Sequence, residues 1–190
     1  IQYYLLAANQ NNSHAQFKLG FIYYKSRYAH VDINKAIHYF SLASNQDDSN
    51  ADYNLGLIYY EGKVVKRDIQ KAISYFTSAA TRKMSEAQFI LGHIYLAGIY
   101  VPFDHKKVIH YFTCSANQNN KRAQFHLSIL YLSGILIKQD INKGVFYMII
   151  AQFISGYFYQ VGLYIKKDIK EAIHYYKEAS CFNLNFAKNN

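Results

Sequence analysis

A single proline, two cysteines and only 17% charged residues stand in a chain of 190, and each scarcity removes a class of protein. With so little charge and proline against 51% hydrophobic residues, the chain is not disordered and can bury an ample core. Cys114 and Cys181 fall at unrelated places along the chain, which gives neither a disulfide framework nor a metal spacing. The expected compartment is therefore reducing, that is intracellular and cytoplasmic. No glycine-rich phosphate loop, nucleophile elbow or H-E-x-x-H pair occurs, and no titratable residues converge. No catalytic residue, metal ligand or cofactor is expected.

What is present is a repeat. Ala15, Leu19, Gly20 and Tyr23 return 36 positions on as Ala51, Leu55, Gly56 and Tyr59, then as Ala87, Leu91, Gly92 and Tyr95, and then as Ala123, Leu127, Ser128 and Tyr131. A second set keeps step with it. Asp32, Lys35, Ala36, Tyr39, Phe40 and Ala43 recur as Asp68, Lys71, Ala72, Tyr75, Phe76 and Ala79, and more loosely as Asp104, Lys107, Val108, Tyr111, Phe112 and Ser115. Such a period marks stacked supersecondary units that bury their apolar faces on one another. Within a unit the apolar residues fall at i, i+4 and i+8 (Ala15, Leu19, Tyr23) and then at i, i+4 and i+7 (Ala36, Phe40, Ala43). This is helical periodicity, so each unit is a pair of helices, A and B.

Local signals place the helix ends. Ser13, Ser49 and Ser85, followed three residues later by Gln16, Asp52 and Gln88, predict a capping box that opens helix A. Gly62, Gly98 and Gly134, with Ser26 in the first unit, predict the left-handed residue that closes it. Asp32, Asp68, Asp104, Asp140 and Asp168 open helix B as caps at the positive end of its dipole. The small residue at Gly20, Gly56, Gly92 and Gly156 lets the facing helix come close, and Phe40 and Phe76 fill the space beside it.

The string Ala-x-x-x-Leu-Gly-x-x-Tyr-x-x-Gly, followed by Asp-x-x-Lys-Ala-x-x-Tyr-Phe-x-x-Ala and read from Ala51 to Ala79, resembles the Sel-one-like repeat, a relative of the tetratricopeptide repeat. Departures at Ser26, Val108, Ser128 and Gly144 weaken single units but not the assignment. The resemblance covers nearly the whole chain and implies an all-α fold: a right-handed α/α superhelix, or solenoid, of about five 36-residue two-helix repeats, truncated at both ends. The organisation is a single array, with a partial unit at 1–12, repeats at 13–48, 49–84, 85–120, 121–150 and 151–186, and the start of a next unit at 187–190. Ile1, Tyr3, Tyr4 and Ala7 match Ile37, Tyr39, Phe40 and Ala43, so the chain opens inside a helix B. Additional repeats or domains are expected on both sides, because a solenoid needs polar caps.

The period breaks once. Asp140 and Asp168 are 28 residues apart, eight short of the repeat, and Ala151 is claimed both by the end of one helix B and by the start of the next helix A. Antiparallel helices need about two to eight connecting residues. Either eight residues are missing near Ala151 or the two helices have fused across the uncharged run of 22 residues from Gly144 to Ile165. That run is long enough to span a bilayer, but its two Gln, its four Tyr and its fit to the repeat frame belong to a soluble solenoid, and no membrane partner is expected.

The net charge of +9 raises the question of nucleic acid. Lys63, Lys66, Arg67, Arg82, Lys83 and Lys121 fall in connections and helix ends, without the recurring polar set that base-by-base reading needs. They read as scattered surface charge, and nucleic acid is not the expected partner. His38, His110 and His174 share a helix B position, but equivalent positions of stacked helices lie roughly 10 Å apart, too far for donors that must sit about 2 Å from one ion. The resemblance implies a non-catalytic scaffold or adaptor that holds a protein partner, as a peptide segment or a folded surface, on the concave face lined by helix A. The position of Phe17 is aromatic in every unit (Tyr53, Phe89, Phe125, Phe153), which fits shared packing. Recognition is expected at Phe21, Tyr24, Leu57, Tyr60, His93 and Arg122, which vary between units as specificity positions should. An RNA-binding α-solenoid and a regulatory repeat array of a larger enzyme such as a protein kinase are the alternatives.

Overall fold

Eight delimited α-helices, further helical residues at 142–144, 146, 147 and 170, and no strand occur among residues 1–25, 31–140, 142–144, 146, 147 and 170, the residues that a computed structural model of the chain describes. They divide into two units, Ile1–Pro102 and Phe103–Asn190. The first holds α1 (Gln2–Asn9), α2 (Ser13–Lys25), α3 (Ile33–Ser44), α4 (Ser49–Glu61), α5 (Ile69–Thr81) and α6 (Ser85–Ala97), and the second holds α7 (His105–Ala116) and α8 (Lys121–Ser133). Helices of type A are α2, α4, α6 and α8, and those of type B are α1, α3, α5 and α7. In the first unit α2 packs on α3 and α4 on α5, while α1 lies against α2, α3 against α4 and α5 against α6; α2 also touches α4. The A helices α2 and α4 are thus neighbours. In the second unit α7 packs on α8.

The frame residues make the core. Leu19, Leu55, Leu91, Ala36, Phe40, Ala43, Ala72, Phe76 and Ala79 are fully buried, and each buried Phe or Leu is worth about 1.5–3 kcal/mol of hydrophobic stabilisation. Helix A approaches helix B where it carries glycine. A Cβ on Gly20 would lie 2.5 Å from Phe40 Cδ1, and one on Gly56 would lie 2.6 Å from Phe76 Cε1. Gly92 is buried at the equivalent place in α6.

The ends of helix B follow the sequence. Asp32, Asp68 and Asp104 each accept a hydrogen bond from the backbone N–H three residues on, at 3.0, 2.9 and 3.1 Å, and Asp140 accepts one from Lys143 at 2.9 Å. These bonds favour the ionised carboxylate and hold Asp32, Asp104 and Asp140 below the usual carboxylate range. Gly62, Gly98 and Gly134 close helix A with φ of 64°, 63° and 68°. The opening of helix A needs correction. Ser13, Ser49 and Ser85 are already its first helical residues, and the cap is the residue before each. Asn12 accepts from Ala15 N at 2.8 Å, Asp48 from Asn50 and Ala51, and Asn120 from Ala123; Met84 makes no side-chain cap bond. Asn and Asp cap at least as well as Ser.

A further periodic feature lies in the B-to-A turns. Asn11, Asp47, Lys83 and Asn119 all have positive φ, between 62° and 65°, and the next residue donates to a carbonyl five positions back, as from Asn12 to Ala7 and from Met84 to Ala79, both at 3.1 Å. This is a Schellman closure. Left-handed backbone costs an ordinary L-residue roughly 1–2 kcal/mol and suits Asn better, so Lys83→Asn should stabilise the chain by roughly 0.5–1 kcal/mol of that penalty. The midpoint of urea unfolding measures it, and an unchanged or lower midpoint would contradict the strain.

Several sequence expectations lie outside the described residues: Ser26, Phe153, Gly156, Asp168, His174 and Cys181, and the junction near Ala151 with its missing-residue, fused-helix and membrane alternatives. Among the described residues no helix is long and apolar enough to cross a membrane.

Candidate functional site

Once Ala15, Leu19 and Gly20 are turned to the core, Phe21 and Tyr24 share the remaining face of α2. Phe21 is 43% exposed and Tyr24 half-buried. The Lys25 ammonium stands over both rings, 5.6 and 5.9 Å from their centroids. On α4 the equivalent positions are Leu57 and Tyr60, both half-buried. Burial first, and then the negative charge of Glu61 working against the positive charge of Lys63, push the Tyr24 hydroxyl above its ordinary value. Glu61 pairs with Lys63 at 3.0 Å. The C-terminal ends of α2 and α4 therefore stand side by side and bring Phe21, Tyr24, Leu57 and Tyr60 onto neighbouring helices. His93 on α6 is half-buried with its ring edge-on to Phe89 at 4.6 Å. Arg122 is exposed on α8 in the second unit.

Tyr60 is held at its edges. Its ring meets Phe76 at 6.1 Å and Tyr100 at 6.5 Å, both edge to face. Phe17 and Tyr53, by contrast, turn inward onto Phe40 and Phe76 at 5.8 and 6.0 Å, and Phe89 is 8% exposed. Packing accounts for their aromatic character.

The tyrosines that recur with the repeat form a separate series. Tyr23 stacks on Tyr39 at 5.7 Å, Tyr59 on Tyr75 at 6.0 Å and Tyr131 on Tyr147 at 5.9 Å. Lys35, Lys71 and Lys143 stand over the first ring of each pair at 5.3, 4.1 and 5.5 Å. Burial is the main reason that the Tyr75 hydroxyl is pushed up. Tyr111 is half-buried at the same place in α7. These stacks join helix A to helix B and explain why Lys and Tyr belong to the repeat.

A buried polar row, three of whose members the sequence suggested as capping-box residues, has another role. Gln16, Asp52, Gln88 and Gln124 are all buried. Gln16, Gln88 and Gln124 donate through Nε2 to the carbonyls of Ala8, Ala80 and Ala116 at 3.3, 3.1 and 3.0 Å, stapling each helix A to the end of the preceding helix B. Gln46 then donates to Gln16 Oε1 at 2.7 Å. Asp52 takes the place of glutamine in this row as an acceptor, and its surroundings change to match. Ser44 and Ser78 donate to it at 2.5 and 2.7 Å, Arg82 Nη1 lies 3.0 Å away, and Arg82 also pairs with Asp47. The visible signal was Arg82 standing where Gln46 and Gln118 stand in the frame, 30 residues after Asp52.

Chemically this surface of α2 and α4 offers ring faces, aliphatic surface and cations. Among the described residues no group of three or more His, Cys, Asp or Glu could hold a metal ion. The sequence model of the Sel1 repeat matches residues 1–12, 13–48, 49–83, 85–120, 121–151 and 149–181. No curated protein matches the chain. Among solved structures, a protective antigen of uropathogenic Escherichia coli strains that displays an SLR fold is 27% identical with a TM-score of 0.77, over 94% of this chain and 40% of that one. A Sel1 repeat protein from Oxalobacter formigenes is 27% identical with a TM-score of 0.72, over 90% of this chain and 73% of that one. Cysteine rich protein B of Helicobacter pylori is 26% identical with a TM-score of 0.51, over 64% of this chain and 87% of that one. The chain thus spans two fifths of the length of the first of these relatives, and its fold class is the all-α repeat solenoid.

Proposed function

Because this chain belongs to the Sel1 repeat family, whose members are generally protein-interaction scaffolds, we propose that it is a non-catalytic scaffold or adaptor that holds a segment of a partner protein along its A helices. The observation that carries this reading is the row of partly exposed apolar side chains on neighbouring helices, Phe21 and Tyr24 on α2 with Leu57 and Tyr60 on α4. The rings of Phe21, Tyr24 and Tyr60 are backed by Phe17, Phe40 and Phe76, so little of their side-chain entropy is left to lose on binding, and rigid aromatics of this kind make the strongest anchors. His93 is proposed as a further contact from the third repeat, and Arg122 as a contact point of the second unit by itself.

Random peptides displayed on phage and selected on the chain should yield binders. Replacing both Tyr24 and Tyr60 by alanine should weaken them by about 2 kcal/mol, the scale of a hot-spot truncation, with the helical circular dichroism unchanged. Binding that survives the double substitution removes the groove from consideration.

A further inference from the structure

Arg67 departs from the rest of the frame, where Val31, Phe103 and Gln139 take its place. Gln139 closes the end of its helix A by donating through Nε2 to the Leu132 carbonyl at 2.8 Å. Arg67 does the same for α4 with Nε alone, which donates to the Tyr60 carbonyl at 2.9 Å. The close approach needs Gly62, where a Cβ would lie 2.5 Å from Arg67 Cβ. Both terminal nitrogens of the guanidinium are left over, with no hydrogen bond or ion pair among the described residues. The group stands over two rings at once, its central carbon 5.4 Å from the centroid of Tyr60 and 4.8 Å from that of Tyr100. The cap bond and the rings fix its orientation, yet the residue is exposed. Lys25, also without an ion pair among the described residues, adds a second cation beside Phe21 and Tyr24, while Glu61 is already answered by Lys63.

Resting on the groove reading, we propose that Arg67 is the charge-recognition point of this surface. The partner segment is then an extended peptide that presents an acidic side chain to its two free Nη donors and lays apolar side chains on Phe21, Tyr24 and Leu57. A carboxylate matches the planar fork with two parallel hydrogen bonds, and the fork is ordered before the ligand arrives. Single-stranded nucleic acid fits less well, because bases need open aromatic faces to stack on and the guanidinium already covers those of Tyr60 and Tyr100.

The informative variant is Arg67→Gln, since Gln139 shows that glutamine keeps the helix-closing bond while the charge and the fork are lost. Peptides selected on the wild-type chain should be rich in Asp and Glu. Their affinity by fluorescence polarisation should fall by about tenfold or more in Arg67→Gln, as for a lost charge-assisted hydrogen-bond pair, at an unchanged melting temperature. Arg67→Lys, which keeps the charge without the fork, should regain only part. Changing the acidic residue of a selected peptide to its amide should cost the same factor, and the two changes together should cost no more than either. Peptides that depend on Tyr24 and Tyr60 but bind Arg67→Gln equally would overturn the carboxylate proposal and leave the groove reading standing. Tighter binding of a single-stranded uridine oligomer that is lost in Arg67→Gln would overturn it in favour of phosphate. Failure to select any peptide would remove both.

Discussion

Gly56→Leu is expected to lower the stability of the chain by about 3 kcal/mol or more, the upper end of the overpacking range, and to unfold the second repeat first. The reason is a distance. Even the Cβ of alanine would stand 2.6 and 2.7 Å from two carbons of the Phe76 ring, and that ring is fully buried, so it has nowhere to turn. Gly56→Ala therefore sets two effects of opposite sign against each other. Helix propensity favours alanine by about 1 kcal/mol, and overpacking opposes it by about 1–3 kcal/mol, so the net change is a loss. Phe76→Leu added to Gly56→Ala should restore part of that loss by opening the crossing. Thermal unfolding followed by circular dichroism reads all three variants, and a Gly56→Leu chain that melts with the wild type would show that the glycine is not at a close crossing.

The glycine and its phenylalanine were legible in the sequence because they recur with the frame, as were the aspartate caps and the left-handed glycines. The serines misled for a local reason. Ser13, Ser49 and Ser85 follow Asn12, Asp48 and Met84, and in the first two cases an equally good cap stands one residue earlier, so pattern alone could not choose between them. Gln16, Asp52 and Gln88 were misread with them. Their spacing from serine fits a capping box, but their amides and carboxylate reach back to the preceding helix, a contact that only packing creates. The candidate site was half legible: the positions of Phe21, Tyr24, Leu57 and Tyr60 followed from the repeat, whereas Arg67 and Arg82 looked like two more charges in a basic chain. What sets those two apart is their partners, the Tyr60 and Tyr100 rings for one and Asp52 for the other. Neither partnership has a sequence period.

Arg82→Ala should then be the most damaging change at a residue with substantial solvent exposure. It leaves the Asp52 carboxylate, 1% exposed, with the hydroxyls of Ser44 and Ser78 and no positive charge. Removing one partner of a fully buried ion pair costs about 3–5 kcal/mol. The Arg82 side chain is 31% exposed, so solvent screening brings the expectation down to about 2–4 kcal/mol. The double variant Asp52→Gln with Arg82→Gln tests the cause. It rebuilds what stands at Gln16 and Gln46, where one amide donates to a helix-end carbonyl and the other to the first side chain, with the Ser44 carbonyl in the place of that of Ala8. Both buried polar groups regain partners without any buried charge, so the double variant should lie within about 1 kcal/mol of the wild type. Such strong non-additivity is what residues in one network show. If the double variant is as unstable as Arg82→Ala, the loss does not come from an unpaired carboxylate, and Arg82 contributes through the packing of its aliphatic stem instead.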